Sequence, residues 1–165
     1  TTTAGEPLEL TTAARGAIMV SGPTFNYQRV ILPQSDLRER SVKRALGAYT
    51  YTFTVPLPAV YPPPLNDTEA FTEGELTDQP LLAGTYTVGI EVRRDYTVGG
   101  VVFRDPGNGT RDFLLGSATT IEPREVVTLA NCNQCHGELR AHGDNRNDLV
   151  GCLLCHTTGA EDRNT

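Results

Sequence analysis

The cysteines of this 165-residue chain are confined to one short stretch near its C-terminus. All four lie between Cys132 and Cys155, and residues 1–131 contain none. Disulfides that stabilise a small secreted fold are spread along it. The first 131 residues must therefore fold without cross-links, and the clustering indicates a prosthetic group at the C-terminal end.

The cysteines form two copies of a C-x-x-C-H motif, at residues 132–136 (CNQCH) and 152–156 (CLLCH). This spacing is the attachment signature of c-type haem, because two thiols three positions apart can each bond one vinyl group while the next imidazole faces the iron. Four cysteines at this spacing also suit a zinc site, or disulfides. The histidine directly after each pair favours two haem c groups, bound through Cys132, Cys135, Cys152 and Cys155.

The chain has three histidines for the four axial positions of two irons. His136 and His156 are predicted to be the proximal ligands. His142 follows His136 too closely to reach the opposite face of the same haem without a tight wrap, so we expect it to bind the iron of the second haem, opposite His156. A bis-imidazole iron suits electron transfer.

The first haem then lacks one ligand. Met19 is a candidate, since thioether ligation is known for haem iron, but its apolar neighbours favour a core role. The Thr1 amine, water and a histidine of another polypeptide are the alternatives. Arg140 and Arg146 lie between the motifs and are candidates for bidentate bonds to haem propionates.

Before residue 128 the sequence is typical of β structure. Residues 84–94 alternate, with Tyr86 and Val88 on one face and Thr87 and Glu91 on the other, which predicts a half-buried strand. A second strand is predicted at residues 49–55 and a turn at 105–109, with a long surface loop at 57–80. Six or so short strands predict a β-sandwich over residues 1–128, followed by a small, mostly irregular or helical di-haem segment over 129–165. The weaker strands are predicted at residues 17–21, 27–32, 100–104 and 111–118.

Composition restricts the location and the partners. The net charge of −6 argues against nucleic acid as a partner. No apolar run is long enough to span a membrane, and residues 1–4 (TTTA) show no signal peptide. Because c-type haem is attached after export, we expect a processed, exported protein of the periplasm or cell surface.

Residues 131–148 and 152–156 together resemble the decahaem outer-surface cytochromes of metal-respiring bacteria, through the pattern C-N-x-C-H-x-x-L-x-x-H-G-x-x-R-x-D followed by C-x-x-C-H. The resemblance implies a preceding Greek-key, immunoglobulin-like β-domain and a distal-ligand role for His142. It also implies electron transfer to minerals, flavins or other multihaem cytochromes. The chain has two haem motifs rather than ten, which predicts a fragment or a short relative, or a partner for further copies of itself.

Three functions follow from these observations. An electron carrier rather than an enzyme is favoured by the paired motifs. A haem enzyme or gas-binding protein with one open iron is the alternative that the missing ligand suggests. In a third interpretation the β-domain binds a surface or partner and the haems serve as a relay.

Overall fold

A computed structural model describes Pro7 and residues 9–63 and 76–157, without the side chain of His136. The strands are mostly in the first part of the chain and the two longer helices follow them. The elements in chain order are a 3₁₀ turn (Leu10–Thr12), β1 (Arg15–Gly22), β2 (Gln28–Gln34), α1 (Leu37–Arg40), β3 (Val42–Ala45), β4 (Ala48–Thr50), β5 (Gly84–Val98), β6 (Val101–Leu115), α2 (Leu129–His136) and α3 (Leu149–Cys155).

The central sheet has four antiparallel strands in the order β2-β1-β5-β6, and β3 pairs with β4 in a separate two-stranded sheet. The predicted mainly-β fold with a small helical C-terminal segment is therefore confirmed. The described residues form these two sheets, and their packing as a β-sandwich stays a prediction. The division of the chain at residue 128 stays a prediction, although α2 begins at Leu129.

One face of the central sheet carries the main hydrophobic core. Val20, Tyr86 and Val30 are buried there against Tyr61 and Leu76, which come from the long connection between β4 and β5. The hydroxyls of Tyr61 and Tyr86 lie 2.6 Å apart. Burial of these apolar side chains supplies the main driving force for folding of this half of the chain.

The opposite face of the sheet is polar at its edge strands but is covered by the C-terminal segment. Leu154 of α3 is fully buried against Met19 of β1 and Tyr27. Ser21 donates a hydrogen bond from its hydroxyl to the carbonyl of Leu154 at 2.6 Å. The sheet therefore serves as the platform on which the second cysteine motif rests.

The turn predicted at residues 105–109 is wrong, because these residues lie inside β6. The chain reverses instead at Gly99 and Gly100, whose φ values are +58° and +82°. Positive φ at both central residues is what a two-residue type I′ hairpin requires. Pro106 is accommodated because β6 is an edge strand, where a missing N–H leaves no inner ladder bond unmade.

Other sequence predictions are met in part. The strands predicted at residues 17–21, 27–32 and 84–94 correspond to β1, β2 and β5, with ends that differ by up to four residues. The two strands predicted at residues 100–104 and 111–118 are wrong as separate elements, because both belong to the single strand β6. Of the strand predicted at 49–55, only residues up to Thr50 are paired. The middle of the predicted loop at 57–80 lies outside the described residues. No helix among the described residues is both long and apolar enough to cross a membrane.

Candidate functional site

The first C-x-x-C-H motif lies on α2. The helix begins after Thr128 and ends at His136, and Gly137 closes it with φ +68° and a hydrogen bond from its N–H to the carbonyl of Asn133. Cys132 is half-buried and Cys135 is exposed. Both thiols are free, so the helical spacing presents them as two adjacent nucleophiles one turn apart.

The second motif lies on α3, which packs on the sheet. Cys152 and Cys155 are free thiols and half-buried, and Cys155 Sγ lies 3.3 Å from Met19 Sδ. Burial raises the pKa of both thiols. Both are therefore neutral at neutral pH before any bond is made to them.

The structure brings His142 and His156 together. Their ring centroids are 6.0 Å apart and their planes are inclined by 31°. His142 lies in the loop between α2 and α3, in the left-handed region with φ +53°. His156 directly follows α3. The two imidazoles that the sequence assigned to one iron are therefore neighbours across a short gap.

The two predicted propionate ligands differ in their surroundings. Arg140 is exposed and already donates hydrogen bonds to Glu138 and to the carbonyl of Arg104. Arg146 is mostly buried and donates from Nε to Glu91 Oε2 at 2.5 Å. Burial acts to lower the pKa of Arg146, but the hydrogen bond and charge of Glu91 outweigh it and the pKa is raised. Arg146 is thus held close to both thiols of the second motif as a fixed cation.

Met19 is 2% exposed and lies in the core with Leu154, so its contacts are to the second motif rather than the first. Met19 is therefore a core residue in the structure, as its apolar neighbours in the sequence favoured. Thr1, another candidate ligand, lies outside the described residues. The side chain of His136 is also outside the described part, so its predicted role stays a prediction.

Arg29 of β2 is a site residue that sequence reasoning missed. It is 4% exposed, its Nε has no hydrogen-bond partner, and it forms no ion pair with the described residues. Burial lowers the pKa of Arg29, and the positive charge of Arg146 lowers it further. A buried, uncompensated guanidinium needs an anion. This orphaned cation next to Cys155 fits a group that carries carboxylates, as haem does.

A surface groove of about 660 Å³ lies beside the loop that carries His142. His142, Arg146 and Glu91 contribute to its lining. No group of three or more His, Cys, Asp and Glu side chains converges on one point within the described residues. The two cysteine pairs lie on separate helices, α2 and α3, and two separate pairs suit two separate haems.

A family model of known proteins matches part of the chain. Residues 124–165 match the family model for outer membrane cytochrome MtrC/MtrF-like proteins, domains II/IV. No curated protein and no solved structure matches the chain. The matched segment contains α2, α3 and both cysteine motifs. The C-terminal segment of the chain therefore carries the signature of the MtrC/MtrF-like outer membrane cytochromes, as its motifs predicted.

Proposed function

We propose that the chain is a two-haem c-type cytochrome that transfers electrons at the outside of the cell. Cys132 and Cys135 would hold one haem c, and Cys152 and Cys155 the other. When bound, the haem iron supplies a reversible one-electron couple. The family match supports cytochrome chemistry in general, and the count of two haems rests on the two motifs.

The observation that carries the proposal is the separation of His142 and His156. Two imidazoles that share one metal ion, each with a metal–nitrogen bond of about 2 Å, have ring centres about 6 Å apart. The observed centroid distance is 6.0 Å. The chain thus holds two imidazoles at the spacing of a bis-histidine haem, before the cofactor itself contributes any constraint.

Charge supports an electron-transfer role for the same residues. Arg146 and Arg29 place two cations near the second motif, where they would compensate propionates. The chain as a whole has a net charge of −6, which favours partners with cationic patches. Other multihaem cytochromes, further copies of this chain, flavins and mineral surfaces are the partners we propose.

The proposal is tested on the purified haem-loaded protein. We expect an intact mass equal to the polypeptide plus two haems, and an electron paramagnetic resonance spectrum with a low-spin bis-imidazole signal. In His142→Ala this signal should be lost from one haem, and added imidazole should restore it. A low-spin spectrum that His142→Ala leaves unchanged would contradict the assignment, and a mass without haem would contradict the function.

A ligand-binding or enzymatic role is the second candidate, and the shortage of histidines motivates it. With three histidines in the chain and two irons, the haem at Cys132 and Cys135 has no second imidazole from this sequence. Rapid binding of carbon monoxide at that haem, together with turnover of peroxide, would favour this role. Slow binding at both haems would favour the electron carrier.

A further inference from the structure

The loop that carries His142 is bonded to the central sheet as well as to α2. Glu91 of β5 and Asn108 of β6 are cross-strand partners, so their side chains project from the same face of the hairpin. Residues 143–147 lie on this face. The loop runs between the end of α2 at His136 and the start of α3 at Leu149, and side chains of β5 and β6 bond to its residues 143–147.

Asn108 holds the loop at two points. Its Nδ2 donates to the carbonyl of Asn145 at 3.1 Å, and its Oδ1 accepts from the N–H of Asn147 at 2.8 Å. The residue between them, Arg146, is held by Glu91 through a bond of 2.5 Å. One cross-strand pair therefore fixes three consecutive residues of the loop.

The attachment extends to His142 itself. Arg93, two residues beyond Glu91 on the same face, donates to Asn145 Oδ1 at 2.8 Å. Asn145 in turn donates from Nδ2 to the carbonyl of His142 at 2.5 Å. His142, Gly143 and Asp144 have φ values of +53°, +66° and +62°. Left-handed conformations of non-glycine residues persist only where their surroundings impose them.

We propose that Asn108, Glu91 and Arg93 are positioning residues that keep the imidazole of His142 facing that of His156. The inference rests on the proposed function, since it concerns the same pair of ligands. It assigns a role to the β-sheet: the strands, and not the haem segment alone, determine whether the second iron has two imidazole ligands. Release of the loop would let the left-handed backbone relax and His142 swing away.

The test compares Asn108→Ala with Thr110→Ala in the full, haem-loaded protein. Thr110 lies on the same strand and the same face as Asn108, but its side chain makes no hydrogen bond within the described residues. In the reduced protein, carbon monoxide would bind the second haem only after His142 has dissociated from it. Loss of two hydrogen bonds should increase the population of the open form, and hence the rate of binding, about tenfold or more in Asn108→Ala. Thr110→Ala should bind at the wild-type rate.

Arg93→Lys is an independent test of the same inference, because it keeps the positive charge and removes the planar guanidinium that donates to Asn145. We expect a smaller increase in the rate than in Asn108→Ala. His142→Ala, which has no imidazole at this position, gives the upper limit of the carbon monoxide binding rate. Equal rates for wild type, Asn108→Ala and Thr110→Ala, with a low-spin wild-type spectrum, would overturn the inference.

The failure of the proposed function would appear differently, as a wild-type protein that is already high-spin at the second haem. Folding is checked by circular dichroism and by the mass of attached haem. If Asn108→Ala loses its fold, Asn108→Asp decides the question, because it keeps the acceptor for Asn147 and loses the donor to Asn145. An unchanged rate in that folded variant would overturn the inference as well.

Discussion

Leu154 of α3 lies directly over the backbone of Gly89 in β5. A Cβ atom placed at Gly89 would come within 2.3 Å of Leu154 Cδ1, and Leu154 is fully buried. The close approach needs a glycine at this position, because any side chain would occupy the space that Leu154 fills. The docking of the second cysteine motif onto the sheet therefore depends on a residue of β5.

Gly89→Ala is expected to destabilise this contact by about 1–3 kcal/mol, the usual cost of overpacking a closed site. Gly109→Ala is the matched control, since it lies on the adjacent strand and its added Cβ would meet nothing within 4 Å. Denaturant unfolding of the two variants measures the difference, and hydrogen exchange in α3 locates it. Equal stabilities would show that Leu154 moves aside without cost.

The strands and the cysteine motifs were predictable from sequence because both are local patterns. Alternation of Tyr86 and Val88 with Thr87 identifies β5 regardless of what covers it. What covers the polar face was not predictable. Thr85 and Thr87 are 3% and 0% exposed, although threonines on a half-buried strand usually face solvent. Thr85 bonds to Thr120 and Glu122. Thr87 bonds to Tyr27 and Asp112, so the partners of both threonines lie 25 to 60 residues away along the chain.

The same limit applies to the candidate site. His142 could be proposed as a ligand because so few histidines are present, and the structure does place it beside His156. Asn108, Glu91 and Arg93 gave no sign in the sequence that they belong to the site, because they act through hydrogen bonds to a loop 37 to 55 residues away. Arg29 gave none either, since a single arginine in a strand is ordinarily a solvent-facing charge.

Tyr51 gives a prediction for alkaline pH. Its hydroxyl donates to Asp36 Oδ1 at 2.6 Å, and burial, followed by the bond and charge of Asp36, raises its pKa to about 12. An unfolded tyrosine has a pKa of about 10, so the folded state favours the neutral phenol. The stabilisation is complete below about pH 10 and is lost as the pH rises through 12.

Ultraviolet titration of tyrosinate should therefore show a late step that is absent from Tyr51→Phe. In Asp36→Asn the step should move to lower pH, without returning fully to the unfolded value, because burial remains. Coincident titration curves for wild type and Asp36→Asn would show that the carboxylate does not contribute.

The buried charge of Arg29 leads to a prediction about the reduction potential of the proposed second haem. A positive charge near a haem disfavours the more positively charged oxidised iron, so it raises the reduction potential. Arg29→Met should lower the reduction potential of the haem that we propose at Cys152 and Cys155. The expected shift is the equivalent of about 1–2 kcal/mol, for a unit charge roughly 10 Å away at an effective dielectric of about 20. Spectroelectrochemical titration measures this shift. Arg111→Met, at an exposed position of β6, should leave both potentials almost unchanged, and a raised potential in Arg29→Met would contradict the prediction.

The hairpin turn at Gly99 and Gly100 gives a prediction that depends on backbone conformation alone. A Cβ at either position would meet nothing within 4 Å, so a side chain has room, but both φ values are positive. Asparagine tolerates this conformation, whereas a β-branched residue does not. Gly100→Val should cost about 1–2 kcal/mol of stability, and Gly99→Asn should cost much less.

Denaturant unfolding separates the two hairpin variants, and near-ultraviolet circular dichroism reports the register. Tyr96 and Phe103 are cross-strand partners whose rings stack with centroids 5.6 Å apart, three residues from the turn. A shift of the strands by one residue would separate these rings and change the aromatic signal. If Gly100→Val matched the wild type in both measurements, the reversal at residues 99–100 would not be the turn that sets the pairing of β5 with β6.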